Sequence, residues 1–185
     1  MKKLISALLA VAMMAALLTG CGSSSAQETT VATTAAVVSV EGTMEELINK
    51  VVEIQPVEFG AALTNLDLTD TSEEGLWNIK RFTGLDNADQ IVEAAAYEPM
   101  IGSIAFSMVM VRVAPGEDSK AVAEAMKAGI DPRKWICVEA DDLMVTGYGD
   151  VVMLIMVSSA QEITAQSFVD AFAQVVGAEP DFQLS

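Results

Sequence analysis

The chain has 185 residues, with 10 Lys and Arg against 26 Asp and Glu, a formal charge of −16, no histidine and two cysteines. So acidic a balance excludes a nucleic-acid binder, because neutralising phosphates requires a basic face. Without histidine, Ser-His-Asp and Cys-His catalysis are excluded, and the commonest metal ligand and near-neutral proton carrier are missing.

Lys2 and Lys3 open the chain, and an apolar run follows from Leu4 to Leu18. As a helix that run is roughly 22 Å long, short of a bilayer's hydrocarbon core, so residues 1–20 read as a cleavable signal sequence. Leu18-Thr19-Gly20-Cys21 closes it and resembles the lipobox of bacterial lipoproteins. The resemblance implies a diacylglyceryl group on the Cys21 sulfur and cleavage before that residue. An ordinary secretory signal with a chance cysteine is the alternative. Two acyl chains give stable anchoring where one gives marginal attachment. The expected location is the outer face of the cytoplasmic membrane. Without Lys2 and Lys3, 8 basic side chains face 26 acidic ones, a formal −18. Anionic headgroups repel such a body within about 8 Å at physiological salt, so the lipid does the holding.

Residues 21–42 are rich in Ser, Thr and Ala and lack Lys, Arg and aromatic residues, and read as a flexible tether. Val37 to Val40 is apolar enough to pair as an edge strand instead. A single globular domain is expected over 43–185. Thr43-Met44-Glu45-Glu46 fits a capping box, and Leu47, Ile48, Val51 and Val52 recur at helical spacing up to Pro56. Glu58 to Asp70 shows no clear period. Ser72 to Phe82 predicts a helix stopped by Gly84. Ile91–Tyr97 and Ile104–Val113 predict strands joined by a turn at 98–102. Asp118 or Ser119 caps a helix bearing Val122 and Met126, which Gly129 and Pro132 end. Ile136–Glu139, Leu143–Thr146 and the wholly apolar Val151–Val157 predict further strands, the last buried on both faces. Ser159-Ala160-Gln161-Glu162 fits a second capping box, opening a helix with Phe168, Phe172 and Val175 that stops at Gly177. The order predicts an α+β fold, a two-layer sandwich with a mostly antiparallel sheet and helices packed on one face.

Three features are similar to a family of uncharacterised lipoproteins of clostridial-type Gram-positive bacteria, DUF4358. They are the lipobox with its small-residue tether, Tyr97-Glu98-Pro99-Met100-Ile101 before a strand, and Tyr148-Gly149-Asp150-Val151-Val152 before the last long strand. The likeness covers roughly residues 44–172. The segment Ile130 to Val138 departs from it, being shorter than the family's extended helix. The resemblance implies an exported, anchored domain and no particular activity.

Cys137 is the thiol left once Cys21 is lipidated. It has no histidine to activate it, and Trp135-Ile136-Cys137-Val138 reads as a buried strand in which cysteine acts as a small hydrophobe. Asp67, Asp70 and Glu73 are the densest set of oxygen donors and the candidate metal ligands, with calcium the fitting ion. An EF-hand loop counted from Asn65 meets Asp70 and Leu76 where glycine and glutamate are required, so helix capping at Ser72 is the competing account. Asp141, Asp142 and Asp150 lie at successive turns, which would suit a two-carboxylate hydrolase if they converge at one end of the sheet. Aspartate is equally a turn residue. Met108, Met110, Met153 and Met156 are embedded among Val, Ile and Leu, as core residues are. Trp77 and Trp135 stand beside the basic pairs Lys80-Arg81 and Arg133-Lys134. Trp77, Trp135, Arg133 and Lys134 are therefore the candidate binding residues for an anionic or peptide partner. The expected function is a lipid-anchored, non-enzymatic interaction module for an envelope protein or small ligand, held to the membrane by its lipid and needing no cofactor. A calcium-dependent binder or an acidic hydrolase is the alternative.

Overall fold

The computed structural model describes residues 38–185. The expected signal sequence, Cys21 and the expected tether up to residue 37 lie outside the described residues. Helices α1 (Met44–Ile54), α2 (Glu73–Thr83), α3 (Ser119–Gly129) and α4 (Ala165–Val176) accompany strands β1 (Ala61–Asn65), β2 (Ile91–Pro99), β3 (Phe106–Val113), β4 (Asp142–Tyr148), β5 (Val151–Val157) and β6 (Phe182–Leu184). The strands form one antiparallel sheet in the order β1-β2-β3-β5-β4-β6, so the fold is α+β as the element order predicts.

The helices cover both faces of the sheet, where one face was the expectation. Successive side chains of a strand point to opposite faces. Along β5, Val151, Met153, Ile155 and Val157 join the core under α1 and α4, with Met44, Leu47, Phe168 and Phe172. Val152, Leu154 and Met156 join a second core under α2 and α3, with Ile79, Val122 and Met126. Seven fully buried residues in a row require a cover on each side, and two helices supply each. Phe106 is the aromatic centre of the first core, edge-on to Phe59, Tyr97 and Phe168 at centroid distances of 5.2, 6.2 and 5.3 Å. Met108, Met110, Met153 and Met156 are all fully buried packing residues.

Local chemistry explains most element boundaries. The Thr43 hydroxyl accepts from the Glu46 amide at 3.1 Å while Glu46 accepts from the Thr43 amide at 3.0 Å, completing the expected capping box. Ser72 caps α2 and Asp118 caps α3. Gly84 ends α2 at φ 82°, and a Cβ there would collide with the backbone of α3, so the residue serves both turn and helix packing. Four boundaries differ from expectation. The unassigned stretch 58–70 contains β1, an edge strand, and β6 adds a three-residue strand at the opposite edge. The box at Ser159 opens only a 3-10 turn over Ser159–Gln161, and α4 starts at Ala165, capped by Thr164. Residues 136–139 form no strand. Cys137 sits exposed at φ 62° in a loop rather than in a core.

Residues 38–42, read as the end of the tether, are tied to the body. The Val38 carbonyl accepts from the Asp150 amide at 3.0 Å, and Asp150 accepts from the Val40 amide at 2.9 Å and the Ser39 hydroxyl at 3.0 Å. The chain thus joins the sheet beside the β4–β5 turn, at its proximal end.

Candidate functional site

The opposite, distal end holds the candidate site. Residues Ala94, Ala96 and Glu98 of β2 share the face under α2 and α3, and Ser107 of β3 occupies the same face. Glu98 is thus a carboxylate at a position whose parity belongs to the core. Arg81 and Phe82 reach it from the last turn of α2, where a cation also suits the helix dipole. Lys134 reaches it from the loop after α3. Its side chain is only 4% exposed, and its Nζ lies 2.6 Å from Glu98 Oε1. Among the described residues Oε1 has no other polar partner. Lys134 also donates to the Ser107 hydroxyl at 3.0 Å and to the Arg81 carbonyl at 3.2 Å. Arg81 donates to Glu98 Oε2 at 3.2 Å.

Two cations therefore share one carboxylate in an aromatic frame. The Arg81 guanidinium lies 4.6 Å from the Phe82 ring centroid and 5.8 Å from that of Trp77, and Lys134 lies 5.4 Å from both Phe82 and Trp135. Burial is the main reason that the Lys134 ammonium titrates below the usual lysine range, with Glu98 pulling the other way. Beside the group opens a cleft of about 290 Å³, lined by Trp77, Lys80, Arg81, Gly129, Asp131 and Lys134.

Exposed apolar residues follow both Glu98 and Lys134 along the chain. Two residues beyond Glu98, Met100 is 71% exposed with Ile101 next to it, and two beyond Lys134, Ile136 is 75% exposed. The Ile136 amide donates to the Gly102 carbonyl at 3.1 Å, which fastens the two loops side by side. Trp77, which lines the cleft, is 61% exposed.

Of the expected binding residues, the structure brings Trp77, Trp135 and Lys134 together. Arg133 points elsewhere, in an exposed pair with Glu139 at 2.7 Å. Glu98, Arg81, Phe82 and Ser107 were not among the candidates. A readable signal existed for two of them, since Glu98 and Ser107 are polar residues on core-parity positions of otherwise apolar strands.

The acidic candidates serve local structure. Asp67 accepts from the amide and hydroxyl of Thr69 and Asp70 from the amide of Ser72, and these bonds hold both carboxyls below the usual range. Glu73 lies in the first turn of α2. Among the described residues, no three His, Cys, Asp or Glu side chains are gathered closely enough to hold a metal ion. Asp142 and Asp150 stand at opposite ends of the β4–β5 hairpin, since Asp142 pairs with Val157 and Tyr148 with Val151. The convergence a hydrolase requires is replaced by a separation of roughly 20 Å, because β4 is seven residues long at about 3.3 Å each. Asp141 accepts from the amide and hydroxyl of Ser159, Asp142 from the Ala165 amide, and Asp150 pairs with Arg112.

No protein-family model matches the chain, and no curated protein or solved structure does either.

Proposed function

We propose that the protein is a lipid-anchored extracytoplasmic domain whose distal end binds another protein of the cell envelope without catalysing a reaction. The lipobox at Cys21 and the likeness of the segments around Tyr97 and Tyr148 to the clostridial lipoprotein family DUF4358 support the anchored, exported part. One observation supports the binding part above others. In a chain with formal charge −16, exposed Trp77, Met100, Ile101 and Ile136 border the cationic pair Arg81 and Lys134, at the end of the sheet opposite the chain's arrival from the tether. Aromatic and apolar anchors beside arginine are the usual make-up of an interface centre. A tether joined at the proximal end attaches to the body away from that surface.

Photo-crosslinking in intact cells tests this, with the reactive side chain placed at Trp77 and then at Ile136. One reproducible partner at both positions is the expected result, and no partner at either would overturn it. Cys21→Ala is expected to release the protein from membranes, and continued anchoring would overturn the lipid attachment.

A further inference from the structure

We infer that the cleft beside Arg81 is a carboxylate-binding site for a peptide segment that carries one carboxylate next to an apolar side chain. The inference rests on the proposed partner surface and names what that surface takes. Three features carry it. The first is charge. Lys80, Arg81 and Lys134 stand around the cleft against Glu98, Asp131 and the Asp86 partner of Lys80, so the cleft is close to neutral where the body as a whole is strongly acidic. A ligand with one negative charge meets less repulsion at this cleft than anywhere that carboxylates stand unpaired. A polyanion would be repelled by the body and by Asp131, which lines the cleft itself.

The second is donor geometry. Lys134 is spoken for by Glu98, Ser107 and the Arg81 carbonyl. Among the described residues, the Arg81 guanidinium is bonded to Glu98 alone, through one of its five N–H donors. The planar fork that remains suits a carboxylate bidentately, and Phe82 and Glu98 fix its orientation beforehand. The third is the wall of the cleft. Trp77, exposed and within cation–π range of Arg81, offers an apolar surface beside the charge.

The test uses the full chain in detergent micelles, labelled with 5-fluorotryptophan. Its two tryptophans give two fluorine resonances, and Trp135→Phe assigns them. The probes are three leucine-flanked tripeptides with acetylated N-termini. One has a central glutamate and an amidated end, one a central glutamine and an amidated end, and one a central glutamine and a free carboxylate end. Inorganic phosphate is the fourth probe. The resonance of Trp77 is expected to move with either charged tripeptide, and the two charged arms tell a side-chain carboxylate from a terminal one. Equal movement with the neutral tripeptide, a stronger response to phosphate, or no movement at any concentration would overturn the site.

Arg81→Gln is expected to weaken the charged tripeptides at least about tenfold. Because Arg81 also holds Glu98, a second variant guards against loss of fold. Asp131→Asn keeps the oxygen that accepts from the Arg133 amide while removing the negative charge from the cleft. It is expected to tighten the charged tripeptides by about two- to fivefold, a gain that misfolding cannot produce. Unchanged or weaker binding in Asp131→Asn would count against the site. A cellular partner captured equally by wild type and Arg81→Gln would overturn the carboxylate site and leave the partner surface standing. Tripeptide binding without any crosslink would do the reverse.

Discussion

The two ends of the sheet carry ion clusters of opposite make-up. At the proximal end one cation, Arg112, meets two carboxylates, Glu93 at 3.3 Å and Asp150 at 2.9 Å. Two more of its donors go to the carbonyls of Val40 and Gly42, so four of the five N–H groups are used. At the distal end one carboxylate meets two cations, and Arg81 keeps donors in reserve. The clusters are roughly 17 Å apart along β3, from Ser107 to Arg112 at about 3.3 Å per residue. A nearly saturated cluster closes on itself and fastens the chain. An unsaturated one, bordered by exposed apolar side chains, leaves bonding capacity for something outside the molecule.

The largest expected effect comes from removing the shared carboxylate. Glu98→Gln leaves Lys134 and Arg81 facing each other in a buried site, and a loss of about 3 to 5 kcal/mol is expected in denaturant unfolding. A loss below about 1 kcal/mol would show that the distal cluster is solvated like an ordinary surface pair. At the proximal end, Arg112→Met strips partners from carboxylates that water can still reach. It is expected to cost about 1 to 2 kcal/mol and to speed hydrogen exchange at the Val40 amide, which the intact cluster holds against Asp150.

The pH dependence of the two ends should also differ. Lys134 in the folded protein titrates below its ordinary 10.5, chiefly through burial. The unfolded chain therefore binds that proton more tightly, and stability rises with pH between the lowered value and 10.5. Unfolding curves across that window should show the rise in wild type and lose it in Lys134→Met, whereas Arg112→Met should keep it. The smallest effect is expected at the same end of the sheet, at Asp141, whose carboxyl the Ser159 hydroxyl and amide hold below 3.8. The stability it contributes is present above 3.8 and lost as pH falls through the lowered value. Ser159→Ala should flatten that acid limb slightly without touching the alkaline one.

How much of this was legible in the sequence varies with how local the cause is. The caps at Thr43, Ser72 and Asp118 and the strands β3 and β5 follow from residues within a few positions of one another, and all are where their patterns place them. The double burial of β5 was also readable, yet it contradicts a sheet covered on one face, and that conflict pointed to the second helical layer. The 134–138 loop was misread for the opposite reason. Trp135, Ile136 and Val138 have strand propensity, but Lys134 is drawn to Glu98 and Ser107 on distant strands, and tertiary charge contacts override local preference. Edge strands β1 and β6 are short and half-exposed, so their pattern is too weak to stand out. The cleft itself needs α2, β2, β3 and the loop after α3 to be assembled before it exists.

The position of β5 in the sheet bears on how the chain can be made. Val-Val-Met-Leu-Ile-Met-Val, uncharged and free of proline, is the kind of segment that pairs with other chains when left alone. Both of its neighbours, β3 and β4, precede it in the sequence. A polypeptide emerging amino end first, from a ribosome or a translocation pore, delivers both partners before β5 appears. The two-residue turn at Gly149-Asp150 lets it fold back on β4 at once. The order of strands therefore shortens the interval in which the stickiest stretch of the molecule is without its own partners.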